Sequence, residues 1–94
     1  MIVGFKSEET KRVFDGFISR RYPADIQTTA LRKLLQLHAA IALTDLRVPP
    51  GNRLERLTGD REGQYSIRIN DQWRLCFVWT AENNSEGVEI VDYH

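Results

Sequence analysis

Three consecutive residues near the carboxyl-terminal end of the sequence carry groups that can bind and transfer protons. Asp92, Tyr93 and His94 supply a carboxyl, a phenol and an imidazole. An imidazole has an unperturbed pKa of about 6.5, which suits general acid or base catalysis near neutral pH. The three residues follow an apolar run at residues 88–91, so we expect a final strand that holds them in place. The alternative is a solvent-exposed histidine without a catalytic role.

Arginine is the other residue type with chemical potential here. Ten of the 13 basic residues are arginines, and six of them fall between Arg47 and Arg74. The planar guanidinium group suits phosphate oxygens better than a point ammonium charge does. The formal net charge is zero, so any contact with RNA must be local rather than driven by a long-range field. An ordinary solvated surface would also account for these arginines.

The elements that position these groups are predicted from periodicity. The second half of the chain alternates apolar and polar residues with a period of two, which is typical of strands. Two such runs, at residues 65–69 and 73–79, flank a turn at residues 70–72. A last strand is predicted after the turn-rich residues 83–87.

The length of the turn decides which side chains share a face, because opposed residues of an antiparallel pair lie on the same face. A two-residue turn would oppose Arg68 to Trp73 and mix guanidinium groups with apolar side chains. We therefore predict a three-residue turn. Its register pairs Tyr65 with Phe77, Ser66 with Cys76, Ile67 with Leu75, Arg68 with Arg74 and Ile69 with Trp73.

This register brings two cations together, Arg68 and Arg74, on the face opposite the apolar side chains. Like charges directly opposed on a sheet are mildly destabilising unless an anion lies between them. An RNA phosphate is one such anion. The other interpretation is that both arginines pair with nearby acids such as Glu62, Asp71 or Glu89.

Two amphipathic helices are predicted in the first half, after a short apolar strand at residues 2–5. Ser7, followed by two acids, is a typical N-cap of the first helix, and the Tyr-Pro pair at residues 22–23 ends it. The second helix is expected to begin at Ala24 or Asp25. The apolar stripe of the first helix comprises Val13, Phe14, Phe17 and Ile18, and that of the second comprises Ile26, Ala30, Leu34, Leu37 and Ile41. Leu31, Leu35 and His38 widen the second stripe. We interpret His38 as a histidine at the flank of the helix, without a catalytic role.

Size and composition restrict the classes of protein. A chain of 94 residues with 41% hydrophobic content is expected to form a single domain, residues 1–94. No apolar run is long enough for a membrane helix, and the N-terminus lacks the layout of a signal peptide. The lone Cys76 lies in an apolar run and is expected to be buried and inert. We therefore expect a cytoplasmic protein without membrane contact.

A set of motifs in the second half is more specific than these patterns. The set comprises Leu57, Gly59-Asp60-Arg61, Ser66-Ile67, Trp73-Arg74 and the final Asp-Tyr-His, in this order. It resembles the HigB branch of the RelE/ParE toxin superfamily, whereas residues 1–45 match that branch only as strand, helix, helix. The resemblance implies an α+β fold of the microbial RNase type. In this fold two N-terminal helices pack on a twisted, mainly antiparallel sheet whose concave face holds the active site.

The resemblance also implies an activity. Such proteins are toxins of type II toxin–antitoxin systems that cleave messenger RNA in the ribosomal A site, without metal or another cofactor, by attack of the ribose 2′-hydroxyl on the adjacent phosphate. By motif position, Arg74 corresponds to the arginine at the phosphate, and Asp92, Tyr93 and His94 to the terminal catalytic residues. His94 with either Asp92 or Glu55 would transfer the protons, and Tyr93 would stack on or orient a base.

The chain departs from the family pattern before Gly-Asp-Arg. Some HigB toxins have a histidine and a lysine at the positions of Glu55 and Thr58, so a usual base and one cation are missing. Our hypothesis is that Glu55 takes up the role of the base, while nearby arginines supply the charge; weak activity is also compatible with this departure. The predicted RNA- and phosphate-binding residues are Arg53, Arg56, Arg61, Arg68 and Arg74, with Arg68 also a catalytic candidate.

Partners follow from the same resemblance. It implies a HigA-type helix-turn-helix antitoxin, and a toxin–antitoxin complex that represses its own operon, so that operator DNA is bound only through the antitoxin. A net charge of zero predicts poor affinity for RNA alone and hence dependence on the ribosome. Two other functions stay open: a non-catalytic module that only docks RNA or the ribosome, and a gyrase-directed toxin like the ParE relatives.

Overall fold

The computed structural model describes residues 1–93, in which two helices precede an antiparallel sheet of four strands in the order β1-β2-β3-β4. This confirms the α+β class. Neither helix combines the length and apolarity needed to cross a bilayer. The helices are α1 (Glu8–Phe14) and α2 (Ala24–Ala39); the strands are β1 (Glu55–Arg56), β2 (Tyr65–Arg68), β3 (Trp73–Trp79) and β4 (Ser85–Asp92); short 3-10 helices span Leu43–Arg47, Pro50–Asn52 and Gly59–Arg61.

Helix α1 starts at its predicted cap, where the Thr10 N–H donates to Ser7 Oγ at 3.3 Å. It ends earlier than predicted. Gly16 adopts a φ of 89°, a left-handed conformation that glycine tolerates and that turns the chain out of the helix. The prediction that Phe17 and Ile18 face the core is therefore wrong, and these side chains are 60% and 78% exposed.

Helix α2 begins at the predicted residue and buries one face, which includes Ile26, Ala30, Leu34 and Leu37. The expected stripe is too long, because the helix stops at Ala39 and Ile41 is 80% exposed beyond it. Leu35 is also exposed.

The predicted role of His38 at the flank of α2 agrees with its contacts. Its Nδ1 accepts a hydrogen bond from the Ile2 N–H at 3.1 Å, and its ring lies 5.3 Å from that of Phe14. The histidine therefore joins α2 to the N-terminal segment and to α1.

The register of β2 and β3 is the one that a three-residue turn requires. The observed pairs are Tyr65 with Phe77, Ser66 with Cys76, Ile67 with Leu75 and Arg68 with Arg74. The Ile69 N–H also donates to Trp73 O at 2.9 Å, so the expected pairing continues to the turn. On the helix side, Ile67, Leu75 and Phe77 join the buried residues of both helices in a hydrophobic core.

Strand β4 starts at Ser85, earlier than predicted, because the turn itself lies at residues 80–84. The register between β3 and β4 shifts between Cys76 and Val78. Gly87, with a φ of 58°, lies at this shift, as in a bulge whose extra residue is a left-handed glycine. The short strand predicted at residues 2–5 forms two parallel bridges to β4, Ile2 with Ser85 and Phe5 with Val88.

Candidate active site

Arg74 is buried and hydrogen-bonded on the sheet face that points away from the helices. Only 8% of the residue is exposed. Its Nε donates to Ser66 Oγ at 2.8 Å, and its Nη2 donates to the carbonyl oxygen of Arg53 at 2.7 Å. The third nitrogen, Nη1, lies 3.8 Å from the carboxylate of Glu55, beyond hydrogen-bonding distance. Within residues 1–93, Nη1 is thus the part of the guanidinium group that can donate to a further acceptor.

A cleft of about 390 Å³ opens beside this guanidinium group, within the range of roughly 300–1,000 Å³ that is usual for small-ligand sites. No group of three His, Cys, Asp or Glu side chains in the described part of the chain is arranged to hold a metal ion. The residues that line the cleft are Arg53, Glu55, Arg68, Asn70, Asp71, Arg74 and Tyr93.

Arg68 lies opposite Arg74, as predicted, but has an acid of its own. Its Nη2 donates to Asp71 Oδ1 at 2.5 Å. This hydrogen bond and the guanidinium charge lower the pKa of Asp71 below its usual value. Arg68 is therefore paired with an internal acid, whereas among residues 1–93 the acid beside Arg74 is the more distant Glu55. Since Asp71 is fully solvated, the ion pair is weak and an incoming phosphate can compete for Arg68.

Tyr93 forms part of the cleft wall. Its ring centre lies 5.9 Å from Arg74 Cζ, and 40% of the residue is exposed. The Tyr93 N–H donates to Gln72 O at 2.6 Å, so strand-like pairing continues just beyond β4. The predicted proximity of this phenol to the arginine is present in the structure. His94, the predicted catalytic imidazole, lies outside the described residues.

Asp92 is on the other side of the sheet. It pairs in register with Trp73, whose ring packs against the core, and its Oδ2 accepts from Gln72 Nε2 at 3.2 Å. It lines a larger recess of about 710 Å³ between α1 and β4, together with Tyr22 and Trp73. The structure therefore does not bring Asp92 into the cleft beside Arg74. The larger recess has mixed charges and lacks Arg74, so the smaller cleft is the better candidate for phosphate chemistry.

The two residues of strand β1, both predicted site residues, lie toward opposite faces of the sheet. Glu55 pairs with Ser66 and therefore shares a face with Arg74, whereas Arg56 pairs with Tyr65 and lies toward the opposite face. Both side chains are exposed. Of these two, only Glu55 lines the cleft.

Arg61 is engaged elsewhere. Its Nη1 donates to Glu89 Oε1 at 2.9 Å and to Gln64 Oε1 at 3.1 Å. The hydrogen bond to Glu89 raises the pKa of Arg61. It shares a separate recess with Tyr93, so it lies beyond the cleft wall rather than beside Arg74.

Sequence reasoning missed the groups that hold Arg74. The register predicted that Ser66 shares its face, which was the available signal for a hydroxyl acceptor. The carbonyl of Arg53 carried no such signal, because its direction depends on a backbone φ of 45° that is unusual for a non-glycine residue.

Comparisons with known proteins identify the family of the chain. Residues 3–94 match the family model of HigB-like toxins, described as RelE-like toxin of type II toxin-antitoxin system HigB. The chain is 44% identical over 94 residues to Toxin HigB-1 of Vibrio cholerae, covering 99% of this chain and 94% of that protein. It is 28% identical to Endoribonuclease HigB of Proteus vulgaris over the full length of both.

A solved structure supports the fold. A chain of the YoeB-YefM complex from Staphylococcus aureus superimposes with a TM-score of 0.56 at 17% identity, covering 100% of this chain and 98% of that one. At this identity the likeness concerns the fold alone. The family match over residues 3–94 and the 44% identity to Toxin HigB-1 show that this chain belongs to the HigB-like toxin family, the RelE-like toxins of type II toxin–antitoxin systems.

Proposed function

We propose that the protein is an endoribonuclease that cleaves messenger RNA in the ribosomal A site by attack of a ribose 2′-hydroxyl on the adjacent phosphate. The observation that carries this proposal is the geometry of Arg74. Two of its nitrogens are anchored to Ser66 and Arg53, and the third borders an open cleft. Family membership and the name of the Proteus relative support an RNase.

The arginines supply the electrostatic part of this mechanism. The transition state carries additional negative charge on the oxygens of a five-coordinate phosphorus, so fixed donors stabilise it more than the ground state. Arg74 Nη1 is the fixed donor, and Arg68, released from Asp71, is the second cation. Arg53 lines the same cleft and adds charge near the RNA backbone. Arg56 and Arg61 lie outside the cleft and stay predictions as contacts to RNA further along.

Proton transfer needs a base and an acid. Glu55, 3.8 Å from Arg74 Nη1, takes the proton of the 2′-hydroxyl as its oxygen attacks phosphorus. The bond to the 5′-oxygen breaks, and that oxygen receives a proton from His94, whose role rests on the family motif. The products are a 2′,3′-cyclic phosphate and a 5′-hydroxyl end. Tyr93 stacks on a base beside the scissile phosphate. Asp92 stays a prediction, as an alternative proton carrier.

Partners follow from family and charge. Membership of a toxin–antitoxin family gives the protein an antitoxin partner. We infer an antitoxin of the HigA helix-turn-helix type, through which alone the complex contacts operator DNA. The zero net charge argues for ribosome-dependent cleavage, because a chain without net positive charge gains little sequence-independent affinity for RNA. Translation on ribosomes makes the cytoplasm its place of action.

Induction of the protein in cells tests the proposal. Primer extension on a reporter mRNA should reveal cuts within translated codons, and both His94→Ala and Arg74→Gln should remove the cuts and permit growth. Arg20→Gln, a change at another exposed arginine, is the matched control and should cut as the unmodified protein does. Growth arrest with intact mRNA would reject the nuclease, and DNA damage in those cells would indicate gyrase as the target instead. Undiminished cuts in the His94→Ala variant would reject the assigned acid.

A further inference from the structure

A buried polar pair lies between helix α2 and the loop that precedes β1. Lys33 Nζ donates to Asn52 Oδ1, and both residues are buried, Asn52 completely. The side-chain amide of Asn52 donates in turn to Gln36 Oε1 at 2.8 Å, to Leu46 O at 3.1 Å and to Val48 O at 3.4 Å. The asparagine is thus the point at which the loop is fastened to α2.

This pair is an unusual choice for the interior. A buried ammonium group loses its hydration, and a carboxylate is the partner that usually compensates. Within residues 1–93, Lys33 Nζ donates to an amide oxygen instead. Burial therefore lowers the pKa of Lys33, and the cations Arg32 and Arg68 lower it further. A leucine or methionine would fill the same space without the free-energy cost of desolvating a charge. We therefore expect Lys33 to have a role beyond packing.

The backbone of Arg53, the residue after Asn52, indicates the role of this buried pair. Arg53 has φ 45° and ψ 59°, a left-handed conformation that costs free energy in a non-glycine residue and persists only where neighbouring contacts enforce it. Its carbonyl oxygen is the acceptor for Arg74 Nη2 at 2.7 Å. The side-chain contacts of Asn52 fix the chain immediately before this carbonyl, together with a backbone hydrogen bond from the Arg53 N–H to Pro50 O at 3.1 Å.

We propose that Lys33 and Asn52 are positioning residues for Arg74, which act through the backbone of Arg53. The inference rests on the proposed function, because it assigns the residues that aim the phosphate-binding guanidinium group. Without the anchor, Arg53 relaxes toward negative φ and its carbonyl turns away. Arg74 then keeps its bonds to Ser66, including a long one from Nη2 to Ser66 O at 3.4 Å, but loses the short bond that fixes the direction of Nη1.

The expected effect is on the chemical step. A misplacement of about 1 Å can cost on the order of 10²-fold in rate. We expect Lys33→Met and Asn52→Ala to lower kcat by roughly 10- to 100-fold with little change in KM, since neither side chain lines the cleft. Arg32→Met, which removes an exposed cation one position earlier on α2, is the matched control and should leave kcat unchanged.

The experiment measures kcat and KM for mRNA cleavage on programmed ribosomes, with melting curves and antitoxin binding to establish that each variant is folded. Arg74→Lys is combined with Lys33→Met in a double-mutant cycle. If Lys33 acts through Arg74, Lys33→Met lowers kcat in the unmodified protein but adds little in the Arg74→Lys background. If Lys33→Met does not fold, Asn52→Ala, which removes the other member of the pair, takes its place in the cycle and is judged by the same criteria.

Two results would overturn the inference. One is a folded Lys33 variant whose kcat lies within about twofold of the unmodified protein, and the other is an equal loss in both backgrounds. The failure of the proposed function has a different signature, because the unmodified protein would then leave the mRNA on programmed ribosomes intact. Normal cleavage by Arg74→Lys would instead reject Arg74 as the phosphate donor. A large loss in Arg74→Lys with none in the Lys33 and Asn52 variants would reject the positioning pair only.

Discussion

Replacing Arg74 with lysine is the most informative single change, because it keeps the charge and removes the three-nitrogen geometry. The arginine uses Nε for Ser66 Oγ and Nη2 for the Arg53 carbonyl, at 2.8 and 2.7 Å, and retains Nη1 for the cleft. A lysine has one nitrogen for all three tasks. If its ammonium stays with Ser66 and Arg53, no fixed donor reaches the phosphate; if it turns to the phosphate, two acceptors lose their partner.

The magnitude follows from the lost contacts. Removing one preorganised oxyanion donor typically lowers kcat by about 10²- to 10³-fold, and we expect a loss of this size for Arg74→Lys. A buried acceptor left without a donor costs about 1–3 kcal/mol, so the free energy of unfolding should fall by about that amount. For a domain of this size each kcal/mol corresponds to roughly 4–8 °C in Tm, which leaves a folded protein to assay.

The assay is single-turnover cleavage of a defined mRNA on purified ribosomes, at a temperature well below the Tm of the variant. Arg20→Lys is the control, since this exposed arginine is remote in sequence from the cleft residues and should behave as the unmodified protein does. A folded Arg74→Lys protein that cleaves within about threefold of normal would refute the reasoning, because a loss of at least two orders of magnitude is expected.

Three further predictions concern single side chains. The hydrogen bond from Arg68 lowers the pKa of Asp71, so this contact should stabilise the fold above the unfolded-state pKa near 3.8 and be lost as the pH falls through the lower folded-state value. In Arg68→Ala, the pKa of the Asp71 carboxyl, measured by NMR titration, should return to its usual range. An unchanged titration curve would contradict the assignment of this contact. Burial raises the pKa of the Cys76 thiol, so iodoacetamide at pH 8 should label it only after unfolding, whereas labelling of the folded protein at the rate of an exposed thiol would be inconsistent. In urea denaturation, Leu34→Ala should cost about 2–5 kcal/mol and Ile18→Ala less than about 0.5 kcal/mol, and similar values for the two would show that their burial is misassigned.

The central part of the sheet could be predicted from sequence because one alternation constrains many residues at once. Strict period two in both strands and a short turn leave few registers, and only one keeps the guanidinium groups of Arg68 and Arg74 away from the apolar face. The facing arginines follow directly. Local residue preferences also predicted the Ser7 cap of α1 and the start of α2 correctly.

Local patterns failed where one residue or a distant partner decides the outcome. The helical spacing of apolar residues continues past Gly16, although a left-handed glycine ends the helix and leaves Phe17 exposed. Asp92 and Tyr93 were predicted as one constellation, yet successive residues of a strand point to opposite faces, so only Tyr93 reaches the cleft.

Contacts between residues that lie far apart in the sequence could not be predicted either. Lys33 has the appearance of a solvated residue on α2, and Asn52 that of a loop residue after two prolines and a glycine. Neither pattern predicts that they meet in the interior. Arg61 and Glu89, 28 residues apart, are a second case, since no periodicity links a loop cation to a strand acid.

The claim that the cleft cleaves RNA through the 2′-hydroxyl is tested most directly with a programmed ribosome whose A-site codon carries a 2′-deoxy substitution at the nucleotide before the scissile phosphate. We expect the all-ribose mRNA to yield a 2′,3′-cyclic phosphate and a 5′-hydroxyl end, and the substituted mRNA to stay intact at that position. Cleavage of the substituted mRNA at the same bond and rate would contradict attack by the 2′-hydroxyl.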